Sequence, residues 1–211
     1  MLDVGCGDGP VVGRLSADGV EAYGVEISEP NVARAKEVCP RGQWYDGRRL
    51  PFPDGHFSAA GTLNVLEHVD EPESFLGEIV RVVEPGGRVV VSSPNFLRVL
   101  GPGYHPRMRG LVQKWRNLRA LLERRRRIRE VPGEVRFERM TPIVRQPFQP
   151  DDDAVVATNP LEMAFFLKRF GCTVERVECT DRYVPGLAEW LLNATPARWA
   201  MFNSFVVARR P

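Results

Sequence analysis

The sequence is poor in cysteine and has no long apolar run. It has four cysteines: Cys6, Cys39, Cys172 and Cys179. They form no C-x-x-C pair and no dense framework, which disfavours a disulfide scaffold and a zinc ribbon. No apolar run approaches the roughly 18 residues that a membrane helix needs, and the opening residues Met1-Leu2-Asp3-Val4-Gly5 do not read as a signal peptide. We therefore expect a soluble protein of the reducing cytoplasm.

A net charge of +2 over 211 residues also argues against a polycation, but the charge is unevenly distributed. The segment Arg107–Glu130 contains ten basic and two acidic residues, so the remainder has a net charge of −6. The length fits one domain with an insertion. The sequence is therefore best described as an acidic body with one basic segment.

Strand-like and helix-like patterns alternate along the chain. Strands are predicted at residues 2–4, 22–27, 43–46, 57–63, 88–92, 173–179 and 200–208, and helices at 11–18, 28–38, 73–83, 110–129, 159–170 and 186–192. Ser28 is the expected cap of the second helix, and Pro85-Gly86-Gly87 is the expected tight turn before the fifth strand. This alternation is typical of right-handed βαβ units in a doubly wound, mostly parallel sheet. The segment 94–150 interrupts it and is predicted to be an insertion after the fifth strand.

A glycine-rich turn follows the first strand and opens a helix, which is the usual setting of a nucleotide-type site. Its glycines are Gly5, Gly7 and Gly9. A dinucleotide fingerprint requires a third glycine where Pro10 stands, and no phosphate-loop motif is present. Glu26 ends the second strand about twenty residues further on. These features favour a ligand site over a plain tight turn.

With these motifs the chain resembles the class I S-adenosylmethionine-dependent methyltransferases. It is most similar to the type 11 members related to ubiquinone and menaquinone biosynthesis, which act on small molecules and lipids. The matching segments are residues 2–9, 24–28, 46–47, 50–57, 64–69 and 84–87. The resemblance implies an α/β, Rossmann-like, doubly wound and mostly parallel seven-stranded sheet with helices on both faces and a helical insertion after strand 5. It divides one domain into a cofactor-binding half (1–95), an Arg/Pro-rich insertion (96–157) and closing helix–strand units (158–211).

The resemblance also implies a binding site for S-adenosyl-L-methionine. Glycines of the first turn would approach the methionine and ribose parts, Asp3 would face the ammonium or sulfonium, and Glu26 would accept from both ribose hydroxyls. Ile27 would pack on the adenine, and Asp46 would accept from its amine. The complete expected set is Asp3, Gly5, Cys6, Gly7, Gly9, Glu26, Ile27, Asp46, Gly47, Leu63 and Asn64.

The expected reaction is methyl transfer to oxygen or carbon of a small-molecule or lipid-like acceptor. No catalytic base is dictated; weak candidates are His68, His105 and Tyr104. No metal site is expected, because three adjacent residues such as Asp151-Asp152-Asp153 cannot all face one ion, and a solvated turn or cap is the preferred interpretation. A non-catalytic or truncated binding module and an NAD-dependent oxidoreductase are the alternatives. The first is kept because members of the family have helical sequence before the first strand, often covering the substrate, whereas here Met1 lies directly on that strand.

The basic helix carries an apolar stripe with spacing 4, 3 and 4, formed by Leu111, Trp115, Leu118 and Leu122. We expect this stripe to face inward as part of an acceptor-side wall formed by residues 96–150, with the arginines outward. Three interpretations of Arg107–Glu130 remain: a plain cap, a peripheral contact with an anionic membrane or lipid substrate, and, least favoured, a nucleic-acid contact. Nothing in the sequence predicts the oligomeric state.

Overall fold

The protein, described here from a computed structural model, has a single seven-stranded sheet. The structure describes residues 1–101, 103, 105–180, 186–201 and 203–211. The strands are β1 (Leu2–Val4), β2 (Tyr23–Glu26), β3 (Gly42–Trp44), β4 (Phe57–Leu63), β5 (Val83–Pro94), β6 (Thr173–Thr180) and β7 (Asn203–Arg209). Their order is β3-β2-β1-β4-β5-β7-β6. β7 runs antiparallel to both of its neighbours, β5 and β6, whereas the pairings among β1 to β5 are all parallel, so the expected mostly parallel sheet is confirmed.

Six α-helices are seen in the described residues. They are α1 (Pro10–Ala17), α2 (Glu29–Val38), α3 (Pro72–Val82), α4 (Leu111–Glu130), α5 (Pro160–Arg169) and α6 (Gly186–Asn193). All six lie within one or two residues of their predicted positions. Two local expectations were wrong. Pro85-Gly86-Gly87 does not precede the fifth strand: it forms an irregularity within β5, which begins at Val83 and whose pairing with β4 jumps from Val83 to Arg88. Ser28 occupies the N-cap position of α2, but its side chain makes no capping hydrogen bond, and its backbone N–H donates to Glu26.

Helices cover both faces of the sheet because neighbouring residues of a strand point in opposite directions. On one face, a Cβ at Gly24 would meet Cys6 and Val12, which belong to the small core beneath α1 and α2. Val25, the next residue, points into the large core, which α3 and α5 also line. The four cysteines are buried and unbridged.

The chain reverses its winding direction between β1 and β4. β1 leads outward to β2 and β3 on one side, while β4 leads to β5 on the other. Open α/β sheets bind ligands in the crevice at such a switch point, outside the carboxyl ends of the strands. The turns after β1, β2 and β4 meet at this edge, and the candidate site is built from them.

The inward side of α4 differs from the expected one. Leu111, Trp115 and Leu122 are 78%, 66% and 58% exposed, so the predicted inward stripe lies at the surface. Asn117 and Leu121 are buried instead. Asn117 donates to the backbone oxygens of residues 98 and 107, which fixes this face of the helix against the body.

Arg124 and Ile128 continue the inward face with the same 4, 3 and 4 spacing. Ile128 packs against the large core. Arg124 forms ion pairs with Glu138 and with buried Glu162. The side chain of Arg124 is thus directed inward, not outward as expected of the arginines of this helix.

No helix in the described part of the chain is long and apolar enough to cross a membrane.

Candidate functional site

The glycine-rich turn after β1 folds back on the neighbouring strand. The N–H groups of Gly5 and Cys6 both donate to the carbonyl of Val25, at 2.8 and 3.1 Å. Gly5 has φ +76°, and a Cβ there would lie 2.5 Å from the side chain of Val65. Gly7 has φ +56° and no atom within 4 Å of a Cβ. Gly5 therefore permits close packing, whereas Gly7 keeps a left-handed turn next to open space.

The carboxylate of Glu26 holds this turn against the end of β2. Its Oε2 accepts from the N–H of Gly7 at 3.0 Å, and its Oε1 accepts from the N–H groups of Ile27 and Ser28 at 2.9 and 3.0 Å. A carboxylate has about four acceptor positions. Three are used by the backbone, so Glu26 has about one left for a ligand, fewer than the two expected ribose bonds require.

Asp3 pairs with Gly24 of β2, two residues before Glu26 on that strand, and is 7% exposed. Burial, reinforced by the negative charge of Glu26, raises the pKa of Asp3 to about 6. Burial and the same two acids raise the pKa of the Cys6 thiol to about 12. The negative charges of Asp3 and Glu26 therefore favour a cationic ligand. Because its raised pKa keeps the thiol protonated, Cys6 is not a nucleophile.

An apolar and exposed surface continues beyond β2 and β3. Ile27 is 61% exposed and Trp44 is 53% exposed, and the indole N–H of Trp44 donates to the carbonyl of Ile27 at 2.8 Å. Gly47, with φ +77°, is adjacent to Ile27. Trp44 belongs to this surface, but it was not predicted from the sequence. The signal that could have identified it is its position at the end of a strand, beside the expected adenine position.

Asp46 is exposed at the rim of this surface. Its Oδ1 accepts from the N–H groups of Arg48 and Arg49, at 2.9 and 3.2 Å. These backbone bonds hold the pKa of Asp46 below its ordinary value, so the side chain stays an acceptor at neutral pH. Its Oδ2 takes part in neither bond.

Leu63 and Asn64 lie at the end of β4, on the other side of the switch point. Asn64 is exposed and has φ +54°, an unusual conformation that asparagine tolerates better than most residues. The structure thus brings the expected residues of three turns to one edge of the sheet. Their assignment to a cofactor stays a prediction.

A 3-10 turn over Leu66–His68 follows and places His68 among carboxylates. Its Nε2 lies 3.9 Å from both Glu67 Oε1 and Asp151 Oδ1, and its Nδ1 lies 3.5 Å from Asp153 Oδ1. Asp152 points elsewhere: it is fully buried and binds Arg145 through two bonds of 2.7 Å. The prediction of a solvated turn is therefore wrong for Asp152, the central residue of the three. Its neighbours Asp151 and Asp153 flank His68.

Glu67 is fully buried, and sequence reasoning did not single it out. Its Oε2 accepts from the hydroxyl of Ser93 at 2.8 Å, whereas its Oε1 is buried with no hydrogen-bond partner. Burial raises the pKa of Glu67 to about 8. The backbone N–H groups of Val155 and Val156 donate to its carbonyl, and this cover by the insertion could not be predicted from the sequence near Glu67.

His105 is buried in a small apolar core of the insertion beside Phe96. Its Nδ1 accepts from the N–H of Arg107 at 3.2 Å. Burial lowers the pKa of His105 to about 4, so the ring is neutral at physiological pH. A buried ring is poorly placed to meet a diffusing acceptor. Tyr104, the residue expected to accompany it, lies outside the described residues.

Comparison with known proteins relates the N-terminal half to one domain family. Residues 2–91 match the family model described as a methyltransferase domain. The 27-O-demethylrifamycin SV methyltransferase of Amycolatopsis mediterranei is 32% identical over 48% of this chain and 40% of its own length. The ubiquinone biosynthesis O-methyltransferase of Dechloromonas aromatica is 34% identical over 45% of this chain and 44% of its own. The chain spans less than half the length of either relative.

The fold is shared with solved structures over nearly the whole chain. An S-adenosylmethionine-dependent methyltransferase from Mesorhizobium loti superimposes with a TM-score of 0.60 at 20% identity, covering 99% of this chain and 90% of its own. Residues 2–91 are thus similar to a methyltransferase domain, and the chain shares its fold with solved S-adenosylmethionine-dependent methyltransferases.

Proposed function

We propose that the protein transfers a methyl group from S-adenosylmethionine to oxygen or carbon of a small-molecule or lipid-like acceptor. The observation that carries this proposal is the acidic pair Asp3 and Glu26 beside the open turn at Gly7. A buried carboxylate with a raised pKa gains most from a cationic ligand, and this cofactor carries both an ammonium and a sulfonium. Both relatives described above bear names of methyltransferases.

The residues at the edge of the sheet fit the parts of the cofactor in order along it. Gly5, Cys6, Gly7 and Gly9 would carry the methionine and ribose parts past the turn. The remaining acceptor position of Glu26 would bind one ribose hydroxyl. Ile27 and Trp44 would contact the adenine, with Oδ2 of Asp46 accepting from its amine. Gly47, Leu63 and Asn64 would complete the walls.

S-adenosylmethionine, when bound, would supply an activated methyl group. The chain's own part in the reaction is to orient the acceptor and exclude water. His68 is the favoured candidate for accepting a proton, because its side chain is about one third exposed and lies one turn beyond Asn64. His105 is disfavoured by its burial.

The insertion is proposed to form the acceptor-side wall. Arg139 donates to the carbonyls of Val69 and Asp70, and the backbone N–H groups of residues 155 and 156 donate to the carbonyl of residue 67. An antiparallel bridge between residues 139 and 156 joins these two parts of the insertion. The insertion thus covers the turn that follows β4. We place the boundaries of the insertion at residues 95 and 157, because the segment between them makes these contacts.

The outward face of α4 supports a second proposal, that this surface contacts an anionic membrane. Leu111, Trp115 and Leu122 are exposed on it, with Arg119 and Arg126 exposed beside them. Apolar side chains inserted among lipid headgroups, flanked by arginines, are the usual composition of an interfacial helix. A lipid-like acceptor would then be reached from the membrane surface.

The two rival functions make different predictions. An oxidoreductase would require NAD binding. Pro10, in the first turn of α1, occupies the position of the third glycine of a dinucleotide fingerprint and therefore disfavours NAD. A non-catalytic module would bind S-adenosylmethionine without transferring its methyl group. Incubation with S-adenosylmethionine and a panel of phenols, hydroquinones and aliphatic alcohols, with S-adenosylhomocysteine as the readout, separates these cases. Cofactor binding without product for every acceptor would favour the module.

A further inference from the structure

A cavity lined by arginines lies on the inward flank of α4. Its volume is about 300 Å³, at the lower end of the range of small-ligand sites. Three arginines line it: Arg124 and Arg127 from α4, and Arg136 from the segment that follows. Arg127 comes three residues after Arg124, so their side chains leave the same side of the helix. None of the lining residues belongs to the turns after β1, β2 and β4, so the cavity is separate from the candidate cofactor site.

The deeper layer of this cavity is balanced in charge. Glu138 accepts from Arg107 through Oε1 at 2.8 Å and from Arg124 through Oε2. The Oε1 of buried Glu162 lies 2.9 Å from Nε of Arg124, and its Oε2 accepts from Asn159. Two arginines thus balance two glutamates. In the described part of the chain neither carboxylate pairs with the other two arginines of the cavity.

Those two arginines keep unused hydrogen-bond donors. The guanidinium of Arg127 has no hydrogen bond or ion pair with any residue that the structure describes. Arg136 donates through Nη1 to the carbonyls of Gly133 and Val135, at 3.0 and 2.7 Å, while its Nε and Nη2 donate to no other described residue. Both arginines are exposed whereas Glu162 is buried, so they stand at the mouth of the cavity. Each guanidinium can present a fork of N–H groups to an oxygen-rich anion.

The rest of the lining is apolar. Val135 and Phe137 are 4% and 5% exposed, and the ring of Phe137 stacks on Phe166 with centroids 4.8 Å apart. The backbone N–H of Phe137 donates to Glu73 at 3.1 Å, which fixes this wall against α3. An organic group attached to the bound anion would therefore meet a rigid apolar wall.

We propose that this cavity binds a small phosphorylated molecule, with the phosphate on Arg127 and Arg136 and the organic part against Phe137. A phosphate monoester carries about 1.5–2 negative charges at pH 7, which matches two unpaired guanidinium groups, whereas a carboxylate would neutralise only one. Trp115 precedes Arg124 by nine residues, about two and a half turns, so the outward face of α4 lies on the opposite side of the helix. A soluble ligand is therefore expected rather than a membrane lipid.

Glu162 should make this binding depend on pH. Burial raises the pKa of Glu162 to about 7; Glu138 and Glu73 add to the rise, and Arg124 and Asn159 oppose it. Below that pH the group becomes neutral and the cavity loses one negative charge, whereas above it the carboxylate repels an anion. The affinity for a divalent anion should therefore rise several-fold as the pH falls from 8 to 6.

Titration of the full chain with phenyl phosphate at pH 8, followed by phosphorus NMR, tests the site without cofactor or methyl acceptor. We expect one saturable site, with affinity lowered about tenfold by Arg127→Gln and by Arg136→Gln. Arg129→Gln removes an exposed arginine of α4 outside the cavity and should leave the affinity unchanged. Sulfate stays divalent between pH 6 and pH 8, so calorimetry with sulfate should show the rise toward pH 6 in the parent and none in Glu162→Gln.

Absence of saturable binding of both phenyl phosphate and sulfate in the parent would overturn the proposal, as would parent-like affinity in both Arg127→Gln and Arg136→Gln. These two residues are exposed, so their variants decide the matter even if Glu162→Gln fails to fold. If the same two variants lost binding to phosphatidylglycerol vesicles in parallel, the assignment to a soluble ligand would be wrong. S-adenosylmethionine titration of the same preparations separates the two proposals: a chain that binds the cofactor but no phosphate refutes only the arginine cavity.

Discussion

The backbone N–H of Gly7 donates to Oε2 of Glu26 at 3.0 Å and so ties the turn after β1 to the end of β2. The same carboxylate accepts from the N–H groups of Ile27 and Ser28. Glu26 is therefore part of the architecture of the site before any ligand arrives. Its substitution should affect both the shape of the turn and its capacity to bind.

Replacing Glu26 by alanine should weaken S-adenosylmethionine binding by more than the loss of one ligand contact. A hydrogen bond to a charged acceptor contributes about 1.5–3 kcal/mol, equivalent to about 10- to 100-fold in affinity. Three backbone N–H groups also lose their acceptor, so the midpoint of thermal unfolding should fall. Calorimetric titration and thermal unfolding measure the two effects. Asp46→Ala is the milder comparison, and wild-type affinity in a folded Glu26→Ala variant would locate the site elsewhere.

Asp3 should make cofactor binding depend on pH. Burial and Glu26 raise the pKa of Asp3 to about 6, so the free protein loses stability as the pH rises through that value and the carboxyl ionises. A cationic ligand favours the ionised form. Affinity for S-adenosylmethionine should therefore fall below pH 6, by up to about tenfold per pH unit.

Asp3→Asn is the matched control for this pH effect. It should bind the cofactor more weakly at pH 7.5, lose the decline below pH 6, and raise the unfolding midpoint of the free protein at neutral pH. A variant that keeps the parent's pH profile would show that another group is responsible.

The ion pair of Arg124 and Glu162 should govern the stability of the insertion. Glu162 is 2% exposed, and burial raises its pKa to about 7 although Arg124 opposes the shift. Arg124→Met should leave a buried carboxylate unpaired and cost about 3–5 kcal/mol of unfolding free energy above that pH. The cost should shrink near pH 6, where Glu162 is neutral. Urea unfolding at pH 6 and pH 8.5 measures it, with the exposed Arg126→Met as control; equal costs at both values would contradict the assignment.

Membrane contact should depend on the outward face of α4. Trp115→Ser and the double substitution Arg119→Glu with Arg126→Glu should each reduce binding to vesicles that contain phosphatidylglycerol, and raised salt should mimic the charge reversal. Arg124 is unsuitable for this test because it pairs with buried Glu162. Arg14→Glu, at an exposed position of α1, is the matched control. Vesicle binding that ignores both changes would leave α4 as a plain cap.

The alternating elements could be predicted because each carries its own periodicity, but the orientation of α4 could not. Two stripes of that helix have the spacing 4, 3 and 4. The apolar one containing Trp115 faces outward, and the mixed one containing Asn117 and Arg124 faces inward. Hydrophobicity alone selects the wrong stripe, because the inward face is fixed by hydrogen bonds to residues 98 and 107 and by an ion pair with Glu162.

The candidate site was predictable to the extent that it is local in sequence. Gly7 and Glu26 belong to short motifs at the ends of consecutive strands, and the parallel sheet brings such ends together. Glu67 and Asp151 are far apart in the chain and meet only because the insertion folds over the turn after β4. No pattern around either residue predicts that contact.

The edge of the sheet formed by the turns after β1, β2 and β4 is the proposed binding site of S-adenosylmethionine. Isothermal titration calorimetry of the parent chain with S-adenosylmethionine and, separately, with NAD tests it most directly. We predict saturable binding of one S-adenosylmethionine per chain and no measurable binding of NAD. Micromolar binding of NAD with none of S-adenosylmethionine would contradict the account.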